Sequence, residues 1–484
     1  MQHSGSSVTN PSESGLLVHG DEELRPLTAT PFSSSLEDPL SSGQLNSGEQ
    51  PQDENPPRLM LVICLLQGLI YPMIFNIFIL SWDYFMYLNN EAEITSRALL
   101  LSALGIGHAV FLSVYWVICL FRSGKQADNR WMMAILTGFP LVVSCILWLV
   151  AILFRTNDFY SIAPLFFLAL GLCMSCWNSQ IWLAVRVLPM KCMRAVVYGI
   201  ECSGFMFGVL RLATKYGSLL ISVNEQASNN EFIFLMVFLT MCYVIAFAMT
   251  IPFLWMLVKS EYYVTKWNHY QQELEMALEK QRGTNLQTHS TSVAASNDEQ
   301  QTQSTSGATS NQTDSQNVFL LSFPSNVITS LVFPVLLVFL KSNLLVFKNN
   351  IFPIVLVTVF AFTAMMGSFT SFNCAFPRRW MSVLLGLSRL PLVPLFFLLC
   401  GEVVQFFNDH IEVIALIITM LFSFSHGYSS TSLYLRTFKE YSQIEDYKRK
   451  SVMFSFNIFL VEAFKLSLVI ISVFLLTITL SLVK

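Results

Sequence analysis

Apolar runs of about 20 residues recur along this chain, and that is the length an α-helix needs to cross a hydrocarbon core about 30 Å thick. They begin near Leu59, Ala98, Trp131, Tyr160, Ala195, Phe232, Val318, Ile351, Trp380, Ile411 and Val452. Lipid offers a backbone no hydrogen bonds, so each run must satisfy its own N–H and C=O groups as a helix. The expected fold class is therefore all-α and polytopic, with about 11 transmembrane helices. Composition points the same way: 54% of the residues are hydrophobic and 12% charged, and the mean hydropathy is +0.55. A soluble protein carries about twice that share of charge.

Two polar stretches divide the runs. Residues 1–57 are Ser/Pro/Gly-rich and acidic, lack the basic start and apolar core of a cleavable signal, and read as a disordered tail. Residues 259–317 open with the charged helical stretch YQQELEMALEKQR and then turn Ser/Thr/Gln/Asn-rich, as a flexible linker does. The expected organisation is a tail (1–57), a first bundle of six spans (58–258), the linker (259–317) and a second bundle of five spans (318–484). Orientation follows from the short loops. Arg122, Lys125, Arg130, Lys191, Arg194, Arg378, Arg379, Arg436, Lys439, Lys448, Arg449 and Lys450 fall on one side, which should be cytosolic. Opposite lie Arg97, Arg155, Lys341 and Lys348, the last two as outliers. Tail and linker are then cytosolic and the C-terminus external. An acidic residue near a Leu-Leu in the tail is a weak sorting signal, so the plasma membrane is the expected compartment and an endolysosomal membrane the alternative.

Several chemistries find no support. The net charge of -3 arises largely in the tail and suggests no nucleic-acid partner. Of the ten cysteines, most lie within apolar spans, where Cys acts as a small hydrophobe. Cys173 and Cys176 form a CxxC without a second pair or a nearby His, a poor zinc site. No P-loop is present to drive a nucleotide-powered pump. His108 in GIGH lacks a serine partner, so no intramembrane enzyme is read, and no cofactor is called for.

The stretch GIECSGFMFGVLRLATK, residues 199–215, places Glu201, Arg211 and Lys215 inside an apolar, glycine-rich run. At 100° per residue Gly204, Gly208, Arg211 and Lys215 share one stripe, with Glu201 about 60° from Gly204. The small residues allow close approach of a neighbouring helix. The charges have two readings. Lys215 and Arg211 could snorkel to the outer interface while Glu201 makes an interhelical hydrogen bond, or all three could face the bundle interior or a watery path. Asn76, His108, Asn178, Gln180, Arg389 and His426 add polar groups on other spans, each costly in lipid and best placed around a cavity.

These residues carry a resemblance. The run LPMKCMRAVVYGIECSGFMFGVLRLATK resembles the fourth-to-fifth-span signature of the equilibrative nucleoside transporter family, with Pro189, Gly199, Gly204, Arg211, Thr214 and Lys215 in step. FNIFILSWDYF is similar to the family's first-span pattern, with Asn76, Tyr84 and Phe85 in register and Phe75 where Trp is usual. Asn178 stands where a Gln is common. SRLPLVPLFFLLC resembles the ninth-span motif and places Arg389, and FSFSHGYSSTSLY the tenth-span motif, with His426 for Asn. Two departures stand out. In FAFTAMMGSFTSF, Thr363 and Gly367 occupy the positions of an Asp and an Arg that recognise ribose in that family, and the eleventh span carries Glu462 and Lys465 in place of glycines.

The resemblance implies a divergent transporter of major-facilitator-like 6+5 architecture, moving a nucleoside, nucleobase or related small polar solute by alternating access. The implied mode is facilitative or proton-coupled, with protons as the coupling ion in the second case. It implies substrate contacts at Phe75, Asn76, Asn178, Glu201, Arg211, Arg389 and His426, and the lipid bilayer as the other partner. The lost Asp and Arg leave an organic cation or monoamine transporter as an alternative, beside a non-transporting sensor, channel or scramblase of the same fold.

Overall fold

The computed structural model describes residues 55–84, 100, 102–111, 113–114, 130–153, 159–221, 227–273, 351–373, 379–400 and 410–442, with isolated positions within 275–279, 328–340 and 471–478. The unit Met1–Gln52 lies outside these residues, and the unit Asp53–Lys484 holds every element below. Those elements are all helical: α1 (Arg58–Ile70), α2 (Met73–Leu80), α3 (Arg130–Leu153), α4 (Phe159–Val185), α5 (Met190–Ile221), α6 (Ala227–Lys259), α7 (Ile351–Asn373), α8 (Arg379–Leu387), α9 (Leu392–Cys400) and α10 (Ile411–Ser442). Eight stretches among them are long and apolar enough to cross a membrane, and Ser102–Phe111 is a shorter apolar helix in the second expected run. Most of the expected seventh and eleventh spans, with Glu462 and Lys465, lie outside the described residues.

The helices bury their polar faces and turn apolar ones outward. Trp131, Phe139, Leu153, Leu165, Val244 and Ile251 are well exposed, while Ser144, Ser203, Thr250, Ser368, Ser423 and Thr431 are buried. Between lipid-bathed helices there is little hydrophobic drive, so close backbone packing and hydrogen bonds hold them together. Gly68 on α1 meets Gly199 on α5 in this way: a side chain on either would strike the other helix's backbone. Gly367 on α7 and Gly427 on α10 make the same kind of crossing, against Phe424 and Ala364 respectively. That crossing is sealed by hydroxyls, with Ser368 Oγ donating to the Gly427 carbonyl at 3.1 Å and Thr431 Oγ1 to Ser368 Oγ at 2.9 Å.

Two spans are broken, both at proline. Pro72 has no N–H to continue the ladder, so the first span divides into α1 and α2, and the chain resumes with the Asn76 N–H on the Pro72 carbonyl at 2.9 Å. Pro391 interrupts the ninth span in the same way, and residues 388–391 form a turn between α8 and α9. Below α6, Ser260 breaks the helix and caps the next one, its Oγ 3.5 Å from the Tyr263 N–H, and helix continues to residue 273. This extension packs on the end of α4: Tyr263 donates to the Ala184 carbonyl at 3.3 Å, and Trp267 stacks on Tyr263.

Candidate substrate site

The fifth helix answers why charges sit in a glycine-rich span: its faces do different jobs. One stripe packs on α7, where Gly204 leaves room for Ala361, and a Cβ on Gly208 would stand 2.5 Å from Thr358 Oγ1. Rings flank it, with Phe205 5.1 Å from Phe362 and Tyr198 5.8 Å from Phe372. Another face meets the first span, where Asn76 Nδ2 donates to Ser203 Oγ at 3.0 Å.

Further along the helix, on the stripe of Gly204 and Gly208, stands a buried quartet of charges. Arg211 Nη2 donates to both oxygens of Asp83, at 2.9 and 2.8 Å, and its Nε donates to the Leu80 carbonyl at 3.0 Å. Leu80 ends α2, so that carbonyl has no helical donor and welcomes a cation. Lys215 Nζ lies 2.8 Å from Asp83 Oδ2 and 2.6 Å from Glu231 Oε2. Two acids and two bases thus cancel, which is the condition for keeping four ionised groups in so dry a place. Lys215 does not snorkel: it is 3% exposed and turned inward. Arg211 Nη1 is buried with no hydrogen-bond partner among the described residues.

A second polar cluster forms where the first span meets α7, α10 and the described positions near 330. Phe333 and Phe360 stack at 4.4 Å with 14° between their planes, and Phe75 stands edge-on to Phe333 at 6.3 Å. On the far side of the stack lie Phe422 and His426, 6.4 and 6.0 Å from Phe360. Arg389, 1% exposed, enters from the α8–α9 break. Its Nη1 donates to Thr329 Oγ1 at 2.6 Å, its Nη2 to Ser429 Oγ at 3.2 Å, and its guanidinium lies 5.5 Å from the Phe422 ring. Thr329 Oγ1 in turn is 2.9 Å from His426 Nδ1, and Arg389 Nη1 is 3.3 Å from the same nitrogen. A guanidinium only donates, so facing Arg389 the Nδ1 nitrogen takes the acceptor role, in the tautomer that carries its proton on Nε2.

The expected site residues therefore divide. Phe75, Arg389 and His426 join one cluster through Phe333 and Phe360, and Asn76 lies next to Phe75 with its amide nitrogen on Ser203. Asn178 on α4 is 6% exposed, and its Oδ1 is buried without a partner among the described residues. Glu201 is half-buried on the stripe of α5 that carries Gly208. Arg211 stands apart, committed to Asp83. Thr363 and Gly367 are turned to packing: the Thr363 hydroxyl donates to the Val359 carbonyl at 2.8 Å and pairs with Ser423 Oγ, and Gly367 lies in the α7–α10 crossing.

Sequence reasoning missed Asp83, Glu231, Ser203, Thr329, Phe333 and Phe360. Charge balance could have found the first two, because Arg211 and Lys215 in lipid require carboxylates, and Asp83 lies inside the first-span motif. The rings carry no such signal among 41 phenylalanines.

Known proteins place this architecture. The xylose transporter XylE from E. coli, in a partially occluded inward-open conformation, shares the fold at 10% sequence identity, with a TM-score of 0.50 over 87% of this chain and 92% of that one. The major facilitator superfamily proton:xylose symporter XylE bound to 6-bromo-6-deoxy-D-glucose aligns with the same identity and TM-score over 87% of each chain. No curated protein matches the sequence significantly. The family model described as Nucleoside transporter matches residues 176–477, more than half of the chain. With that match, on helices arranged as in the major facilitator superfamily, the chain belongs to the nucleoside transporter family.

Proposed function

We propose that this membrane transporter moves nucleobases and nucleosides across the plasma membrane, and reads the base more than the sugar. The observation that carries this is the cluster of Phe75, Phe333, Phe360 and His426 with Arg389 at its edge. Aromatic faces suit a planar base, and a stack of two rings separated by a solute in place of each other keeps its contact area. The guanidinium and the imidazole offer hydrogen-bonding groups to ring carbonyls and nitrogens. Sugar recognition is weak on this reading, because Thr363 is bonded to Val359 and Ser423, and Gly367 is closed in by α10. The cluster is built from helices on both sides of the linker, so rocking of one set against the other would open it to either side in turn. No covalent step is invoked, and the chain is read as a non-enzyme.

A second reading rests on Glu201, a half-buried carboxylate beside the α5–α7 contact. If it is ionised it favours amines, and if it protonates during the cycle it couples transport to protons. One panel tests both readings: uptake of adenine, adenosine, uridine and an organic amine by intact cells at about pH 5.5 and 7.5, so that a proton dependence shows as a difference between the two. The base-centred reading expects adenine and adenosine to enter and compete with each other. Exclusive uptake of the amine, abolished by Glu201→Gln, would replace it with the second reading. Transport found only in endolysosomal vesicles would move the compartment.

A further inference from the structure

The helices before the linker hold a second set of buried polar groups that the central cluster does not use. Gln67 on α1 is 0% exposed, yet neither its amide nitrogen nor its amide oxygen has a hydrogen-bond partner among the described residues. An amide taken out of water and left unpaired is costly, so such a side chain in a packed helix calls for a partner, which a water or a solute can supply. Asn178 Oδ1 on α4 is in the same condition.

The register of the two helices fixes where these amides stand. Trp182 Nε1 donates to the Tyr71 hydroxyl at 3.0 Å, and the two rings meet edge-on at 5.9 Å. The Tyr71 N–H bonds the Gln67 carbonyl at 3.1 Å, so Gln67 lies one helical turn before Tyr71 on the same stripe. Asn178 lies one turn before Trp182. The helices run antiparallel here, since Phe78, later in the first span, meets Phe167, earlier in α4, at 4.8 Å. The two amides therefore flank the Tyr71–Trp182 pair on opposite sides, about 11 Å apart along the helices. Asn178 is on the side of Phe75, and Gln67 is level with Arg186, whose guanidinium lies 5.1 Å from the Tyr270 ring.

We propose that Gln67 forms a second solute station, separated from the Phe75 and Asn178 region by the Tyr71–Trp182 pair. A carboxamide offers one donor edge and one acceptor, so the station takes a planar solute with an acceptor beside a donor, as the edge of a nucleobase has. This rests on the proposed substrate class. A solute leaving the aromatic cluster reaches Gln67 when the Trp182 N–H lets go of Tyr71, and the extended α6 helix with Tyr263 and Trp267 stands beyond it, on the end of α4.

The test uses the purified full chain in proteoliposomes, with adenine as the probe. Gln67→Leu removes both unpaired atoms at similar volume and should insert as well as the wild type or better. The expected result is a KM for adenine raised about tenfold, as the loss of such hydrogen bonds gives, together with a smaller adenine-induced rise in melting temperature. Wild-type KM and wild-type thermal response in Gln67→Leu would overturn the station, leaving the amide as a water holder and the transporter reading intact. If Gln67→Leu fails to reach the membrane, Gln67→Met repeats the test and an unchanged KM overturns it equally. A wild-type protein that carries neither adenine nor adenosine would remove the substrate class and the station with it.

Discussion

Asp83 holds two cations at once, and the consequences of losing it can be reckoned at the level of single atoms. Asp83→Asn keeps the shape but leaves Arg211 and Lys215 with only Glu231 to balance them. Removing one partner of a buried ion pair costs about 3–5 kcal/mol, so the variant should melt well below the wild type and reach the cell surface poorly. Arg211→Lys should show part of the same defect, because an ammonium cannot span both Asp83 oxygens and the Leu80 carbonyl as the guanidinium fork does. Size-exclusion profiles and thermal melts of detergent-solubilised protein check both. Wild-type melting of Asp83→Asn would mean that the quartet contributes nothing to the fold. His426 behaves differently. Its Nδ1 faces a guanidinium that only donates, and an amide oxygen can accept in its place, so His426→Asn should keep Arg389 in place, whereas His426→Leu takes that partner away. Uptake by the Leu variant is expected to fall about tenfold or more, in line with the loss of a hydrogen bond to a charged group.

At the scale of elements, the crossing of α7 and α10 fixes what the eighth span can carry. Gly367 faces the backbone of Phe424 and Tyr428, and Gly427 faces Ala364. A side chain at either point must push two helices apart, and an arginine at 367 has no space on that face. Gly367→Arg should therefore destabilise the protein instead of restoring ribose recognition, and Thr363→Asp with Gly367→Arg should fail to raise uridine uptake. A double variant that reached the surface normally and took up uridine faster would contradict the crossing. The broken spans do the opposite work. Pro72 stands just before Phe75 and Asn76, and Arg389 sits within the α8–α9 turn. Irregular backbone is tolerated at membrane depth where protein surrounds it, and it lets side chains leave the helical lattice at chosen points.

For the whole molecule, the orientation in the membrane remains a matter of charge. We propose that the loops rich in Lys and Arg, with the tail and the linker, face the cytosol. An epitope within 259–317 should be reached by antibody only in permeabilised cells, and one after Lys484 in intact cells; the reverse pattern would invert the topology. On this orientation Gly199 and the Tyr198–Phe372 contact lie toward the cytosol, and the charge quartet toward the outside. The quartet ties α2, α5 and α6 to one another, while the α5–α7 contacts join helices from the two halves of the chain.

Much of the architecture was legible in the chain itself. Run length and hydropathy are local properties, and lipid leaves an apolar segment no choice but helix. The signature from Pro189 to Lys215 marked the family. Contacts between spans were not legible in this way. Arg211 and Asp83 are 128 residues apart, and Thr329 and His426 are 97 apart, so their pairing depends on how helices cross, which no local pattern encodes. The same limit hid Gln67, a residue with no unusual neighbours in sequence that becomes an unpaired amide only once α1 is packed. The sequence by itself determined that this protein is a bundle of membrane helices with charges it must neutralise; the tertiary structure alone decided which charges neutralise each other and which buried amides are left unpaired, because that choice is made by packing across the bundle.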